Sequence, residues 1–418
     1  MNSRRDFIKL GAMSTLAAIL PKTAASAPTW PKQEDAQFWK ALRDQFPLSK
    51  DFTYLNNGTM GPSPYPVLER FKKAIDDTNV FAAYGGGKEE ALSALARMTG
   101  THKDEIAITH NVTEGINIVC WGLKLKKRDE IIITDQEHVG NGLPWLHRAL
   151  MHGLKLKVIS PASTAEETLD RIRKAISKRT KVIAVPHIPC TTGQILPAKE
   201  ICTLAREKGI FSFIDGAHGP GMLTLDLHDM GCDAYASCCH KWMLAPKGTG
   251  FLYVRKDKLD AVQAYHVGGY SSGAWNLLSH PPQLEGLVPT AHRYFYGTQS
   301  AALYHGIAAS VEFQEKIGIK KIQDRIIYLG KYMQNSLLAL GNEHVEMLTP
   351  TEEKSRGAVV AFRLRKVGFQ EAVEKSRKAG FIIRGVPENN INCIRVSTHI
   401  YNSENEIDAF VQNIKSQL

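Results

Sequence analysis

The chain predicts an α/β fold: a large domain built on a mainly parallel sheet with helices on both faces, followed by a small α+β C-terminal domain. Three observations carry this. Between residues 106 and 254, seven short apolar runs alternate with helical segments, the pattern of repeated strand–helix units. A length of 418 residues exceeds one ordinary hydrophobic core and suits two lobes. A composition of 43% hydrophobic and 22% charged residues, with no internal repeat or low-complexity tract, is that of a soluble globular protein.

Taken in order, residues 1–27 stand apart from the fold. Ser3-Arg4-Arg5-Asp6-Phe7-Ile8-Lys9 has the twin-arginine form, Leu10 to Leu20 is mildly apolar and broken by Gly11, and Ala25-Ser26-Ala27 ends in a small-residue cleavage pattern. The apolar stretch is well short of the ~20 residues a spanning helix needs. A signal peptide read by the twin-arginine translocase is therefore expected, with the mature protein exported folded to the periplasm. Residues 28–60 form an N-terminal segment containing Tyr54-Leu55-Asn56-Asn57-Gly58-Thr59. The large domain is expected over 61–300, opening with amphipathic helices to about residue 100. Its strands are expected at Ile106 to Thr109, Glu130 to Thr134, Lys155 to Ile159, Val182 to Pro186, Phe211 to Asp215, Ala234 to Ser237 and Gly250 to Val254. Over 301–418 a long helix, Ser300 to Gly318 and then Ile319 to Leu340, leads to a small domain with strands near Ala358 to Leu364, Phe381 to Arg384 and Cys393 to Ser397.

The chemistry concentrates at the carboxyl ends of the large-domain strands, where such sheets bind ligands. Asp215 closes one apolar strand, and 26 residues later Lys241 follows the next, just before a glycine-punctuated turn. An amine that can hold an aldehyde as a Schiff base, with a carboxylate that can keep a pyridine nitrogen protonated, is the pair that pyridoxal 5'-phosphate requires. Asn111, Val112 and Thr113 open an apolar helical stretch with Glu114 in its first turn, giving a capped N-terminus whose N–H groups and dipole suit a phosphate. His138 closes the strand ending at Thr134, where a flat aromatic ring can lie on a cofactor face.

These motifs, in this order, resemble the class V aminotransferase-fold enzymes of the fold-type I pyridoxal phosphate group, over about Tyr54 to Tyr401. The chain is similar to the isopenicillin N epimerase-like branch and, more distantly, to cysteine desulfurases. The segments that carry the likeness are Thr109 to Val119, Thr134 to Trp145, Asp215 to His218, His240 to Trp242, Arg293 to Gln299 and Ile394 to Ser397. The resemblance implies that Lys241 holds the cofactor and shuttles protons, that Asp215 pairs with the pyridine nitrogen, and that His138 stacks on the ring. It further implies that His218 reaches the ring hydroxyl, that Val112, Thr113 and His240 contact the phosphate, and that Thr298 reaches the phosphate of a neighbouring subunit in a homodimer with a shared active site. Arg395 is implied to grip a substrate carboxylate, with Arg384 and Asn57 on the substrate side. The activity implied is epimerase- or aminotransferase-like, on the amino group of an amino acid or peptide-like substrate, siderophores included. The alternatives are desulfurase-like C–S elimination and a non-catalytic binding protein.

Two features narrow this further. The seven cysteines (120, 190, 202, 232, 238, 239 and 393) are too few and too irregular for a disulfide scaffold, no pair has metal spacing, and they read as small buried hydrophobes, with one reactive thiol left open by the odd count. Between Arg384 and Arg395 only Cys393 is present, inside the strand pattern, which disfavours sulfur transfer through an enzyme persulfide. The net charge is +10, of which residues 1–27 carry +3; the remainder is spread without a basic block, so nucleic acid is not an expected partner.

Overall fold

The structure is a computed structural model and describes residues 36–418; the expected signal peptide lies outside the described residues. The chain enters through α1 (Ala36–Arg43), β1 (Thr53–Tyr54), α2 (Tyr65–Val80) and α3 (Lys88–Thr99). The large domain then alternates: β2 (Ile106–Thr109), α4 (Val112–Gly122), β3 (Glu130–Thr134), α5 (Val139–His152), β4 (Lys155–Ile159), α6 (Ala165–Ala175), β5 (Thr180–Pro186), α7 (Ala198–Glu207), β6 (Phe211–Asp215), α8 (Leu227–Met230), β7 (Ala234–Cys238) and β8 (Gly250–Val254).

These seven strands, β2 to β8, form one sheet in the order β2-β8-β7-β6-β5-β3-β4, parallel from β7 to β4, with β8 antiparallel to both its neighbours. The strands read as continuous apolar runs because helices cover both faces. Ile106, Ile108, Ile132, Ile183, Ile214 and Tyr235 pack into one core, and Ala107, Ile131, Ile133, Val182, Phe213 and Ala236 into the other. The period-two alternation of side chains thus divides the strands between two cores. At the open edge β4 is partly exposed and carries Lys155 and Lys157, charges that discourage further strand pairing.

A short hairpin, β9 (Trp275–Asn276) with β10 (Gln283–Leu284), precedes α9 (Ala301–Ile317) and α10 (Ile319–Leu338). Gly318, at φ +100, breaks the two helices apart. The small domain comprises β11 (Val345–Met347), β12 (Val359–Leu364), α11 (Phe369–Lys378), β13 (Phe381–Ile382), β14 (Arg384–Val386), β15 (Cys393–Ser397) and α12 (Glu404–Lys415). Its antiparallel sheet runs β11-β12-β15-β14. The single strand expected over Phe381 to Arg384 is two: β13 pairs in parallel with β1, whereas β14 pairs with β15. Ile383 divides them because the backbone on either side serves a different partner. The N-terminal segment is thereby tied to the small domain, and Asn57 N–H donates to Ser397 O at 3.3 Å.

Candidate active site

Lys241 sits three residues past the end of β7, in a loop held from several sides. Cys239 N–H donates to Thr249 O at 2.9 Å and Ala245 N–H to Cys239 O at 3.0 Å, closing the loop on itself. Gln314 Nε2 and His399 Nε2 both reach Trp242 O, at 2.9 and 3.1 Å, so helix α9 and the loop after β15 clamp the same carbonyl. From the N-terminal side, Gly61 N–H donates to His240 O at 2.9 Å. A Cβ on Gly61 would come within 2.1 Å of Lys241 O, so only glycine permits that approach. The lysine is therefore presented on a fixed backbone.

His218 determines what faces the amine. Trp242 Nε1–H donates to His218 Nδ1 at 3.0 Å, so the neutral ring carries its proton on Nε2, and Nε2 lies 3.3 Å from Lys241 Nζ. Burial first, then the charge of Lys241, pushes His218 well below the usual histidine range, which keeps it neutral. The turn that brings it here starts at Asp215, whose Oδ1 accepts Ala217 N–H at 3.0 Å. Among the described residues the other Asp215 oxygen has no hydrogen-bond partner. Burial raises the Asp215 carboxyl, and a pyridinium N–H is the kind of partner that would hold it ionised.

His138 is the N-cap of α5: its Nδ1 accepts Gly140 N–H at 3.0 Å. Burial, then the charges of Lys241 and Arg384, lowers it to about 4, leaving a neutral flat ring of fixed orientation. A Cβ on Gly140 would stand 2.6 Å from Thr113 Oγ1 and 3.0 Å from His138 Nδ1, so glycine allows the N-termini of α4 and α5 to converge. On the first of these, Asn111 Oδ1 caps Glu114 N–H at 3.0 Å, leaving the N–H groups of Val112 and Thr113 without intrahelical acceptors. A phosphate fits there, a ring fits over His138, and a pyridine nitrogen fits Asp215. These residues suit pyridoxal phosphate.

Arg395 is fully buried on β15. Its Nη1 donates to Cys190 O at 2.9 Å, and its Nη2 to Asn56 Oδ1 at 3.1 Å and Thr59 Oγ1 at 2.7 Å, while Nε has no acceptor. Among the described residues no carboxylate pairs with it. Burial, then the neighbouring charge of Arg384, lowers it to about 10, so it stays cationic near neutral pH. A buried cation with only neutral partners would suit an incoming anion. His138 lies within electrostatic reach of Lys241, Arg384, Arg395 and Glu388, which puts all five in one neighbourhood.

Three expected site residues stand differently from the rest. Asn57 is fully buried with its Oδ1 taken by Tyr401 Oη at 3.0 Å; the loop touches Arg395 through Asn56 and Thr59 instead. His240 directs Nδ1 at Thr249 O, 3.1 Å away, so its Nε2 can donate to a phosphate only when the ring is doubly protonated, and burial lowers that tendency. Thr298 lines a separate cavity of about 210 Å³ with Lys88, Tyr270 and Phe295. Sequence reasoning passed over Glu388 and Glu137. The latter is buried, accepting from Thr134 N and Oγ1 at 3.0 and 2.8 Å and from Asn141 Nδ2 at 2.7 Å, yet burial lifts it to about 8. Its place between a strand end and a cap histidine was the available signal. All seven cysteines are free and buried, and burial drives the Cys393 thiol up to about 12.

The aminotransferase class-V family model matches residues 83–410. The chain belongs to this family. Isopenicillin N epimerase of Amycolatopsis lactamdurans is 28% identical over 91% of this chain and 98% of its own length, and that of Streptomyces clavuligerus 30% identical over 88% and 96%. A probable cysteine desulfurase of Methanothermobacter thermautotrophicus is 29% identical over 68% and 71%. Among solved structures, a cystine C–S lyase in complex with its product cysteine persulfide superposes with a TM-score of 0.80 at 26% identity, over 88% of this chain and 99% of that one. A mutant of the same lyase, with glycine covalently linked to its pyridoxal phosphate, gives 0.81 at 26%, over 89% and 98%.

Proposed function

We propose that this class V enzyme acts on the amino group of an amino acid or peptide-like substrate bearing a free carboxylate, by epimerase- or aminotransferase-like chemistry. Its cofactor is pyridoxal phosphate. The observation that carries the substrate reading is Arg395, a buried guanidinium with neutral partners only, close to Lys241 and His138.

Bound in this site, the cofactor supplies an aldehyde for amines and an electron-withdrawing ring that accepts the electron pair released at the substrate α-carbon. The protein's own residues do the remainder. Lys241 Nζ would hold the cofactor's aldehyde and could move a proton at the substrate α-carbon. Asp215 would keep the pyridine nitrogen protonated, and His138 would offer the ring a flat face. His218 Nε2–H would donate to the ring oxygen, and the N–H groups of Val112 and Thr113 with Thr113 Oγ1 would hold the phosphate. Arg395 would fix the substrate carboxylate and so orient the α-carbon.

Work in the periplasm after folded export by the twin-arginine translocase belongs to the same proposal, and its support is the pattern Ser3 to Ala27. Action as a homodimer, with Thr298 completing the partner's phosphate site, is supported by exposed apolar side chains on α5 (Val139, Leu143, Leu146 and Leu150). An apolar cavity of about 620 Å³ lined by Trp121, Tyr265 and Tyr296 adds to this support.

Elimination at a C–S bond is a second reading, favoured by the likeness to the cystine C–S lyase. Sulfur transfer through an enzyme persulfide has no exposed cysteine to use. Incubating the loaded enzyme with amino acids, dipeptides and secreted peptide-like amines such as siderophores, and reading product masses, separates these outcomes. A mass change at the amino group, or deuterium exchange at the α-carbon without one, supports the proposal. Sulfide release from cystine or cysteine alone supports elimination.

A further inference from the structure

Arg384 and Arg395 are direct cross-strand partners on β14 and β15, so their side chains share one face of the small sheet. Two guanidiniums on the edge of one site would suit a substrate with two carboxylates. Glu388 changes this. It forms an ion pair with Arg384, and both side chains are largely buried, at 25% exposed for Arg384 and 12% for Glu388. The loop carrying Glu388 is tied down: Asn389 Nδ2 donates to Asp135 O at 2.6 Å, and Arg363 Nε and Nη2 reach Ile391 O at 2.8 and 2.6 Å. Asn389, Asn390 and Asn392 all take left-handed backbone, with φ of +49, +60 and +47, which holds the turn tight. The second carboxylate oxygen, Glu388 Oε2, is buried with no donor.

We propose that Glu388 is a specificity-determining residue: by holding Arg384 it leaves Arg395 as the sole anion receptor. Its unsatisfied oxygen then favours a substrate whose side chain carries an amide or other N–H donor in place of a second carboxylate. This rests on the reading of Arg395 as carboxylate receptor. A dicarboxylic ligand would have to displace Glu388 from Arg384 and leave it a buried carboxylate without a cation. A ligand with one carboxylate and one amide would leave the pair intact and supply Oε2 with the donor it lacks. Selectivity then arises as much from what the site repels as from what it attracts.

The test is calorimetric titration of the cofactor-loaded protein with butyrate, glutarate and the monoamide of glutarate, acids that bind without reacting. The wild type is expected to bind the monoamide at least as tightly as butyrate and glutarate no more tightly. Glu388→Gln is expected to raise the affinity for glutarate relative to the monoamide about tenfold or more, the worth of one charge-assisted pair. Adding Arg384→Ala to Glu388→Gln is expected to abolish that gain. An unchanged ratio in Glu388→Gln, or a gain that survives loss of Arg384, overturns the inference. A wild-type protein that binds none of the three acids instead contradicts the assignment of Arg395 itself.

Discussion

Arg384 and Arg395 stand opposite each other on adjacent antiparallel strands, and only Arg384 has a carboxylate beside it. Like charges in such a pair repel, and the repulsion adds to burial in lowering Arg395. A fold tolerates an uncompensated buried cation where an incoming anion is to neutralise it.

Arg395→Ala is accordingly expected to raise KM for carboxylate substrates about tenfold or more while the cofactor still binds, since charge-assisted hydrogen bonds are worth roughly 1.5–3 kcal/mol each. Steady-state kinetics beside a cofactor titration measure this. Wild-type KM in Arg395→Ala, with KM raised in Arg384→Ala, would reassign the receptor to Arg384.

Glu137→Gln is expected to lower stability by about 1–3 kcal/mol and to loosen His138. Above about pH 8, where Glu137 is ionised, the donors Thr134 N, Thr134 Oγ1 and Asn141 Nδ2 all converge on the carboxylate, and an amide cannot accept from every one of them. Denaturant unfolding gives the first quantity, and the near-UV and visible dichroism of the bound cofactor gives the second. Unaltered dichroism together with unaltered stability would leave the network without a positioning role.

Acid should destabilise the protein before most carboxylates titrate. Burial lowers His138, His187 and His399 to about 4 and His218 well below its usual range. Unfolded histidines take up protons near pH 6.5, so the unfolded state binds more protons between about 6.5 and 4. Stability therefore rises with pH across this window and is lost as pH falls through it. Glu137, lifted to about 8, acts in the opposite sense: its contribution declines as pH rises from about 4.5 to 8. Four histidines outweigh one carboxyl. Tm is expected to fall steadily from pH 6.5 to 5, by an amount equivalent to at least about 1 kcal/mol per pH unit. A flat Tm over that range would mean that these histidines are not held neutral.

Export offers an independent check. Changing Arg4 and Arg5 to lysine is expected to retain the protein in the cytoplasm, whereas the wild type is expected to begin near Pro28 in the periplasm. Fractionation with N-terminal sequencing reads both, and normal export of the double-lysine protein would contradict the twin-arginine assignment.

Much of this architecture was legible in the sequence because strands buried on both faces announce themselves as continuous apolar runs. Ile106–Thr109, Glu130–Thr134, Phe211–Asp215 and Gly250–Val254 begin and end where the apolar pattern does. The places of Asp215, Lys241 and His138 were legible for the same reason, since each lies at or just past the carboxyl end of a strand. Elsewhere tertiary context decided. The division at Ile383 depends on β1 arriving from over 300 residues away, and nothing local marks it. The choice between Asn56 and Asn57 depends on which side chain the loop turns toward Arg395, a matter of one residue of register. Glu388 is an acidic residue in a polar loop by pattern, and becomes part of the site only because β14 lies beside β15.

Lys241 is the residue proposed to hold the cofactor. Borohydride reduction of the loaded protein, followed by proteolysis and mass spectrometry, tests this most directly, with Lys241→Ala as the comparison. The expected result is the mass of reduced cofactor on the peptide containing Lys241, no such adduct and no turnover in Lys241→Ala, and unchanged far-UV dichroism in the variant. Adduct on a different lysine, or a Lys241→Ala protein that keeps both a borohydride-reducible chromophore and full turnover, would contradict it.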